Sequence, residues 1–214
     1  MNGHAHTKNH GMIHYPVGGG QADPQFGNAS PGKIGMWIFL VTDAMSFSGL
    51  LLAYAILRST KPWPHPIESL GGVELSGFMT FLLICSSVSM VLSIDACKHK
   101  DKKGMLNWLL LTIAGGAAFL SIQAYEYHHL MHEMGMSFNS YAHGNALFAT
   151  TFFAVTGFHG VHVLTGVLYL LFMYKKAHNG DFDHGNYNQL EIAGLFWHFV
   201  DLVWILVFTF IYLL

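Results

Sequence analysis

Five stretches of the chain are almost uninterrupted apolar runs, covering residues 34–57, 75–96, 105–127, 146–174 and 190–214. An α-helix crosses the roughly 30 Å hydrocarbon layer of a bilayer in about 20 residues, and each run reaches that length. In lipid every backbone N–H and C=O must be satisfied within its own segment, which favours helices over open strands. The connections carry the breakers. KPWPHPIESLGG (61–72) holds three prolines and a glycine pair, which a helix does not tolerate. KHKDKKG (98–104) reads as a tight basic loop, residues 128–144 as a longer loop, and residues 175–189 as the last. There is no internal repeat. The pattern predicts an all-α integral membrane bundle of five transmembrane helices over residues 33–214, preceded by a polar tail at 1–32.

Composition strengthens that picture. Only 10% of residues are charged, against about 25% in ordinary globular proteins. Hydrophobic residues make up 52% of the chain, aromatic ones 14%, and the mean hydropathy is +0.39. A chain so poor in charge would struggle to cover a water-facing surface, a need that a bilayer removes. The net charge of −2 and the lack of a basic patch argue against a nucleic-acid partner. Cys85 and Cys97, twelve residues apart in one apolar run, form neither a CxxC nor a zinc spacing and are expected to be packing residues. The tail is rich in glycine and histidine (His4, His6, His10, His14) and lacks the apolar core of a signal peptide. It is expected to be a solvated cytoplasmic segment.

Charge also orients the bundle. With the N-terminus in the cytoplasm, Lys8, Lys33, Lys98, Lys100, Lys102, Lys103, Lys175 and Lys176 fall inside, and only Arg58 and Lys61 fall outside. The positive-inside rule therefore predicts a cytoplasmic N-terminus and a periplasmic C-terminus.

Polar residues inside the runs are the candidates for chemistry. Ionisable groups at a bilayer centre cost about 2.5–3.5 kcal/mol each on insertion scales, so they normally face other helices or a cavity. Asp43 lies ten residues after Lys33, roughly 15 Å along its helix and so near the midplane. His159 and His162 in the fourth run, and His198 and Asp201 in the fifth, lie at similar depth, whereas Glu126 and Glu191 lie nearer the boundaries. Helical periodicity puts Glu191, Gly194, His198 and Asp201 on or near one face, with Trp197 and Trp204 on a neighbouring line. Thr156, His159, His162 and Gly166 form a second stripe, and Gly115, Gly116, Gln123 and Glu126 mark the third run. Gly157, Gly160 and Gly166 would let a neighbouring backbone approach closely. These faces are expected to point into the bundle.

Three readings of the polar residues stand side by side. His159 and His162, with His198, could ligate haem or copper, although an i, i+3 pair on one helix points two ways. The acids could line a proton or ion path, although no repeat or broken helix supports a transporter. Or the groups could be interhelical hydrogen bonds in a non-catalytic subunit, the reading that spacing favours.

The runs, in this order, resemble subunit III of the haem-copper respiratory oxidases over roughly residues 32–214. MWIFLVTDAMSF (36–47) is similar to a family helix with a buried carboxylate, here Asp43, where mitochondrial members have glutamate. QAYEYHHL (123–130) resembles the glutamate-bearing end of a later helix, and FHGVHVLTG (158–166) the family's histidine-glycine-x-histidine-valine segment. EIAGLFWHFVDLVW (191–204) resembles its final helix. The chain departs from the seven-helix mitochondrial pattern by lacking the first two helices, as similar five-helix bacterial forms do.

The resemblance implies a subunit of a bacterial inner-membrane, proton-pumping cytochrome c oxidase that reduces dioxygen to water. This chain would carry no catalytic centre, cofactor-binding residue or metal ligand; haem and copper would lie in partner subunits. It would pack on subunit I, assemble with subunit II, bind membrane phospholipids, support proton uptake and oxygen access, and protect the centre. Asp43 would be the buried carboxylate of that role, with Glu126, His159, His162, Glu191, His198 and Asp201 as interhelical or lipid-adjacent polar residues. The alternatives are subunit III of a quinol oxidase, a related accessory of a nitric oxide reductase, or a free-standing haem-binding or transport bundle. Desolvation disfavours a lone charge on Asp43, so this residue is expected to be largely protonated or hydrogen-bonded and to tune its partner rather than relay protons. Asp43→Asn is then expected to leave assembly and oxygen reduction mostly intact; loss of assembly, read by co-purification of the partner subunits, would count against this role.

Overall fold

The computed structural model describes residues 30–60, 73–133, 135–138, 140–141, 145–182 and 187–214. The tail histidines, Lys8 and the proline-bearing segment 61–72 lie outside the described residues. The described residues form five long helices: α1 (Pro31–Thr60), α2 (Glu74–Lys98), α3 (Lys102–His132), α4 (Ala146–Asn179) and α5 (Asn188–Val207), the last continued by a π-helical turn, Phe208–Leu213. All five, with that turn, are long and apolar enough to cross a membrane. A two-residue antiparallel hairpin, β1 (Met136–Ser137) with β2 (Ser140–Tyr141), joins α3 to α4 in the register Met136↔Tyr141.

The helices outrun the apolar stretches that announce them. Apolarity marks what sits in lipid, but a helix ends where its terminal backbone groups find other partners. α1 starts earlier than hydropathy suggests because Pro31 suits a first helical position and the Ser30 hydroxyl accepts from Lys33 N–H at 3.3 Å. Asp101 caps α3 by accepting from Gly104 N–H at 3.0 Å, and Asn145 caps α4 through Leu147 N–H at 3.0 Å. α4 runs on through Lys175 and Lys176, both expected in a loop, and ends at Gly180, whose φ of 92° is the left-handed turn that glycine tolerates. In the same way α3 takes in His128–His132, also expected in a loop.

Contacts run α2–α3, α3–α4, α4–α5 and α5–α2, which closes a four-helix ring; α1 lies outside it against α4 and α5. Half of the most apolar stretch of α5 is buried, against 28% of that of α1, so α5 is the centre and α1 the periphery. Trp197 and Trp204 of α5 are the largest fully buried side chains. Apolar residues such as Trp37, Ile38, Phe81, Val88, Leu168 and Phe172 face outward, as lipid allows.

Small residues make the ring possible. A Cβ on Gly116 of α3 would lie 2.5 Å from the Trp197 ring, and one on Gly166 of α4 would lie 3.0 Å from it, so both glycines are notches for one indole. Gly160 gives similar room to Gln123. Gly157 does not act this way: a Cβ there meets only the Tyr127 hydroxyl at 3.7 Å, an ordinary contact. Cys97 is buried, but Cys85 is exposed, because residues twelve apart sit roughly 120° round a helix from each other. The expected shared packing role therefore holds for Cys97 alone.

Overpacking a full core costs about 1–3 kcal/mol. Gly116→Val is expected to destabilise the detergent-extracted protein by that order, seen as a lower thermal midpoint, and Gly157→Ala to leave the midpoint unchanged or slightly higher. Equal effects of the two substitutions would refute the notch.

Candidate functional site

The polar interior begins on α2, which sequence reasoning passed over. Trp197 Nε1–H donates to Ser86 Oγ at 3.1 Å, and Trp204 Nε1–H donates to Thr80 Oγ1 at 2.9 Å. Ser89 and Thr112 share a hydrogen bond of 2.8 Å, and the Ser93 hydroxyl donates to the Met105 carbonyl of α3 at 3.0 Å. Each hydroxyl therefore meets a neighbouring helix. The signal was available as Ser76, Thr80, Ser86, Ser87 and Ser93, spaced near the helical repeat. In an apolar run such residues mark an interhelical face.

Polar clasps hold α1 to the ring. Near mid-depth, Asp43 Oδ1 lies 3.2 Å from His162 Nε2. His162 Nδ1 lies 2.8 Å from the Phe158 carbonyl, which can only accept, so Nδ1 carries a proton. Nε2 therefore faces the carboxyl across the seam between α1 and α4, within hydrogen-bonding reach. Phe47 and Phe158 pack against the His162 ring at centroid separations of 5.2 and 4.6 Å. At one end of α1, Lys33 Nζ meets Glu191 Oε2 at 2.5 Å and Lys98 Nζ meets Oε1 at 2.9 Å, which ties α1, α5 and α2 together. At the other end the Arg58 guanidinium donates to the Leu214 carbonyl.

His159 takes a different environment from His162. It is fully buried among Phe119, Trp204 and Phe47, with ring centroids 5.7, 4.9 and 6.3 Å away. Neither ring nitrogen has a partner among the described residues. Glu126 accepts from the Tyr212 hydroxyl at 3.1 Å, where the π-helical turn brings Tyr212 into the core. Beside it, Gln123 donates to the Thr156 carbonyl at 2.9 Å, and Tyr127 shares a 2.7 Å hydrogen bond with Thr156 Oγ1.

On α5, His198 Nδ1 lies 2.6 Å from Ser87 Oγ. Asp201 Oδ1 is buried without a partner among the described residues. The Ser87 hydroxyl thus meets an imidazole, but no carboxylate among the described residues hydrogen-bonds that ring to orient it, so the arrangement lacks the logic of a nucleophilic triad. His198 also borders a groove of about 400 Å³ lined by Lys33, Trp37, Ile94, Lys98, Glu191 and Leu195.

Of the residues expected to be buried, Asp43, Glu126, His159 and Asp201 are so. His162, Glu191 and His198 are only partly buried. His162 lies at the seam under α1, Glu191 at the charged rim and His198 at the groove, where the bundle surface is incomplete. The structure brings Asp43 to His162 and Ser87 to His198. Glu126 pairs with Tyr212, and Glu191 with the two lysines. His159 and His162 share the Phe47 ring but differ in their other neighbours, and His198 meets Ser87.

The fold and site define a multi-pass helical membrane protein whose polar residues chiefly bind helix to helix. Residues 27–214 match the family described as Cytochrome c oxidase subunit III. The chain is 38% identical over 197 residues to cytochrome c oxidase subunit 3 of Synechocystis sp., covering 91% of this chain and 81% of that protein. It is 35% identical over 187 residues to cytochrome c oxidase subunit 3 of Thermostichus vulcanus, covering 85% and 86%. It is 34% identical over 184 residues to cytochrome bo(3) ubiquinol oxidase subunit 3 of Pseudomonas putida, covering 85% and 84%. The chain belongs to the cytochrome c oxidase subunit III family. It is thus a subunit of a multisubunit haem-copper oxidase, an oxidoreductase complex.

Removing one member of a buried polar pair strands the other at a cost of about 1–3 kcal/mol, whereas replacing both can be nearly neutral. His162→Leu is expected to destabilise the protein by that order. Asp43→Leu/His162→Leu is expected to recover part of the loss, read as thermal midpoints in detergent. A double variant no better than the single one would argue against the clasp.

Proposed function

We propose that this chain is the non-redox subunit III of a proton-pumping cytochrome c oxidase in a bacterial inner membrane. The redox chemistry belongs to the partner subunits, which hold haem and copper. The observation that carries this reading is the separation of the candidate ligands. His162 is taken up by Asp43 and His198 by Ser87, while His159 stands in an aromatic box. A haem or copper site would need such imidazoles to converge on one point. The chain's own work is mechanical and electrostatic: it presents a rigid ring to subunit I and keeps its charges at the rim. With Lys33, Lys98 and Lys176 taking part in contacts at one end of the bundle, the positive-inside rule supports a cytoplasmic N-terminus.

The groove beside Glu191 is the candidate lipid site. Two lysines share one carboxylate, leaving a net positive charge and spare N–H donors for a phosphate. Trp37, Ile94 and Leu195 supply an apolar wall for an acyl chain. Such a lipid belt would stabilise subunit I and keep its proton and oxygen routes open. The ubiquinol oxidase relative from Pseudomonas putida supports a second reading, in which quinol is the donor.

The test is to purify the tagged chain in mild detergent and record a reduced-minus-oxidised visible spectrum with a phosphorus assay. Haem bands that vanish when the partner subunits are stripped, with phospholipid kept by the chain, are the expected result. Haem retained by the isolated chain would overturn the reading and make His159, His162 and His198 candidate ligands.

A further inference from the structure

The end of α3 carries HHLMH (128–132), three histidines on an exposed arc that the interior does not use. His129 already has an acidic partner, its Nδ1 lying 3.0 Å from Glu133 Oε2. His128 and His132 have each other. Their rings stand 4.3 Å apart at 35°, both exposed, and neither hydrogen-bonds another described residue. An i, i+4 spacing puts two side chains on one helix face, and two histidines at that spacing are a recurrent zinc-binding pair. Imidazole is the commonest protein metal ligand, and nitrogens bound to one zinc at about 2.0–2.1 Å demand neighbouring rings.

We infer that His128 and His132 form a two-histidine site for a divalent transition metal at the membrane surface, on the end of the bundle opposite the Lys33–Glu191–Lys98 cluster. Leu130 is buried and holds this turn of α3 in place, so the pair is presented by a rigid helix. No third His, Cys, Asp or Glu among the described residues completes a ligand set. The ion therefore keeps water in its remaining positions, and the site exchanges metal rather than serving as a closed structural centre. The residue between the pair that supplies a general base in zinc proteases is His129 here, already engaged with Glu133. Nitrogen ligands and an open geometry suit Zn²⁺, Ni²⁺ and Cu²⁺, with Cu²⁺ tightest.

The experiment is a calorimetric titration of Zn²⁺ into the full-length chain in lipid nanodiscs. It compares the wild type with His128→Gln, His132→Gln, the double variant and His178→Gln. The tail histidines are common to all five proteins and cancel in the comparison. The double variant is expected to bind one zinc equivalent fewer than wild type. Each single variant should lose at least about tenfold in affinity at that site, the lower end of what disturbing a metal site costs, and His178→Gln should match wild type. Diethyl pyrocarbonate labelling of the wild type, read by mass spectrometry, gives a measure that needs no variant: Zn²⁺ should protect His128 and His132 together. Equal zinc binding by wild type and double variant, dependence on only one of the two histidines, or the absence of protection would each overturn the site.

Discussion

One side chain touches nearly every part of the ring. Trp197 of α5 lies in notches left by Gly116 of α3 and Gly166 of α4, and its N–H reaches Ser86 of α2. Lipid tails are as apolar as leucine, so burying hydrocarbon gives membrane helices little reason to associate. Close packing and interhelical hydrogen bonds must do that work instead. An indole supplies both, with a large flat contact area and one donor that has to be satisfied. Trp204 repeats the device further along the same helix, against Phe119 and His159, with Thr80 as its acceptor.

α1 is joined by other means. It contributes little to the shared core, and its contacts with the ring include polar clasps near its two ends and its middle. A paired Asp43 and His162 suit this place, since a lone polar group at that depth would be costly and an apolar contact would specify no register. The two parts of the protein thus differ in emphasis: the ring rests chiefly on glycine notches and tryptophans, while α1 adds polar clasps to the packing of Phe47 and Tyr54.

That division bears on the subunit's role in the oxidase. Polar residues at mid-depth in a respiratory membrane protein invite a redox or ion-path reading. Here Glu126, Asp43 and His198 have partners on neighbouring helices, and the charged Lys33–Glu191–Lys98 cluster stands at the rim beside a groove. His159, Asp43 Oδ2 and Asp201 Oδ1 are buried polar groups without partners among the described residues. The exposed histidines at the end of α3 lie beyond the apolar layer, and nothing in the ring requires them.

The number of spans and their approximate limits were legible from the residues alone. So was the inward facing of Gly116, Gln123, Glu126 and Asp201. Helix ends were not, because caps such as Ser30 and Asn145, rather than loss of apolarity, stop or start the helix. The partners of the polar residues were not legible either: no local signal links Asp43 to His162, or Ser87 to His198, across more than a hundred residues. Hydropathy also could not tell Trp197 from Trp37 or Cys97 from Cys85, since core and lipid are equally apolar solvents for a side chain. Crossing the membrane is a property of each segment by itself, fixed by backbone desolvation, and so the sequence determined it. Which face turns inward and what it meets depends on the shapes of four neighbouring helices at once, and only the tertiary structure decided that.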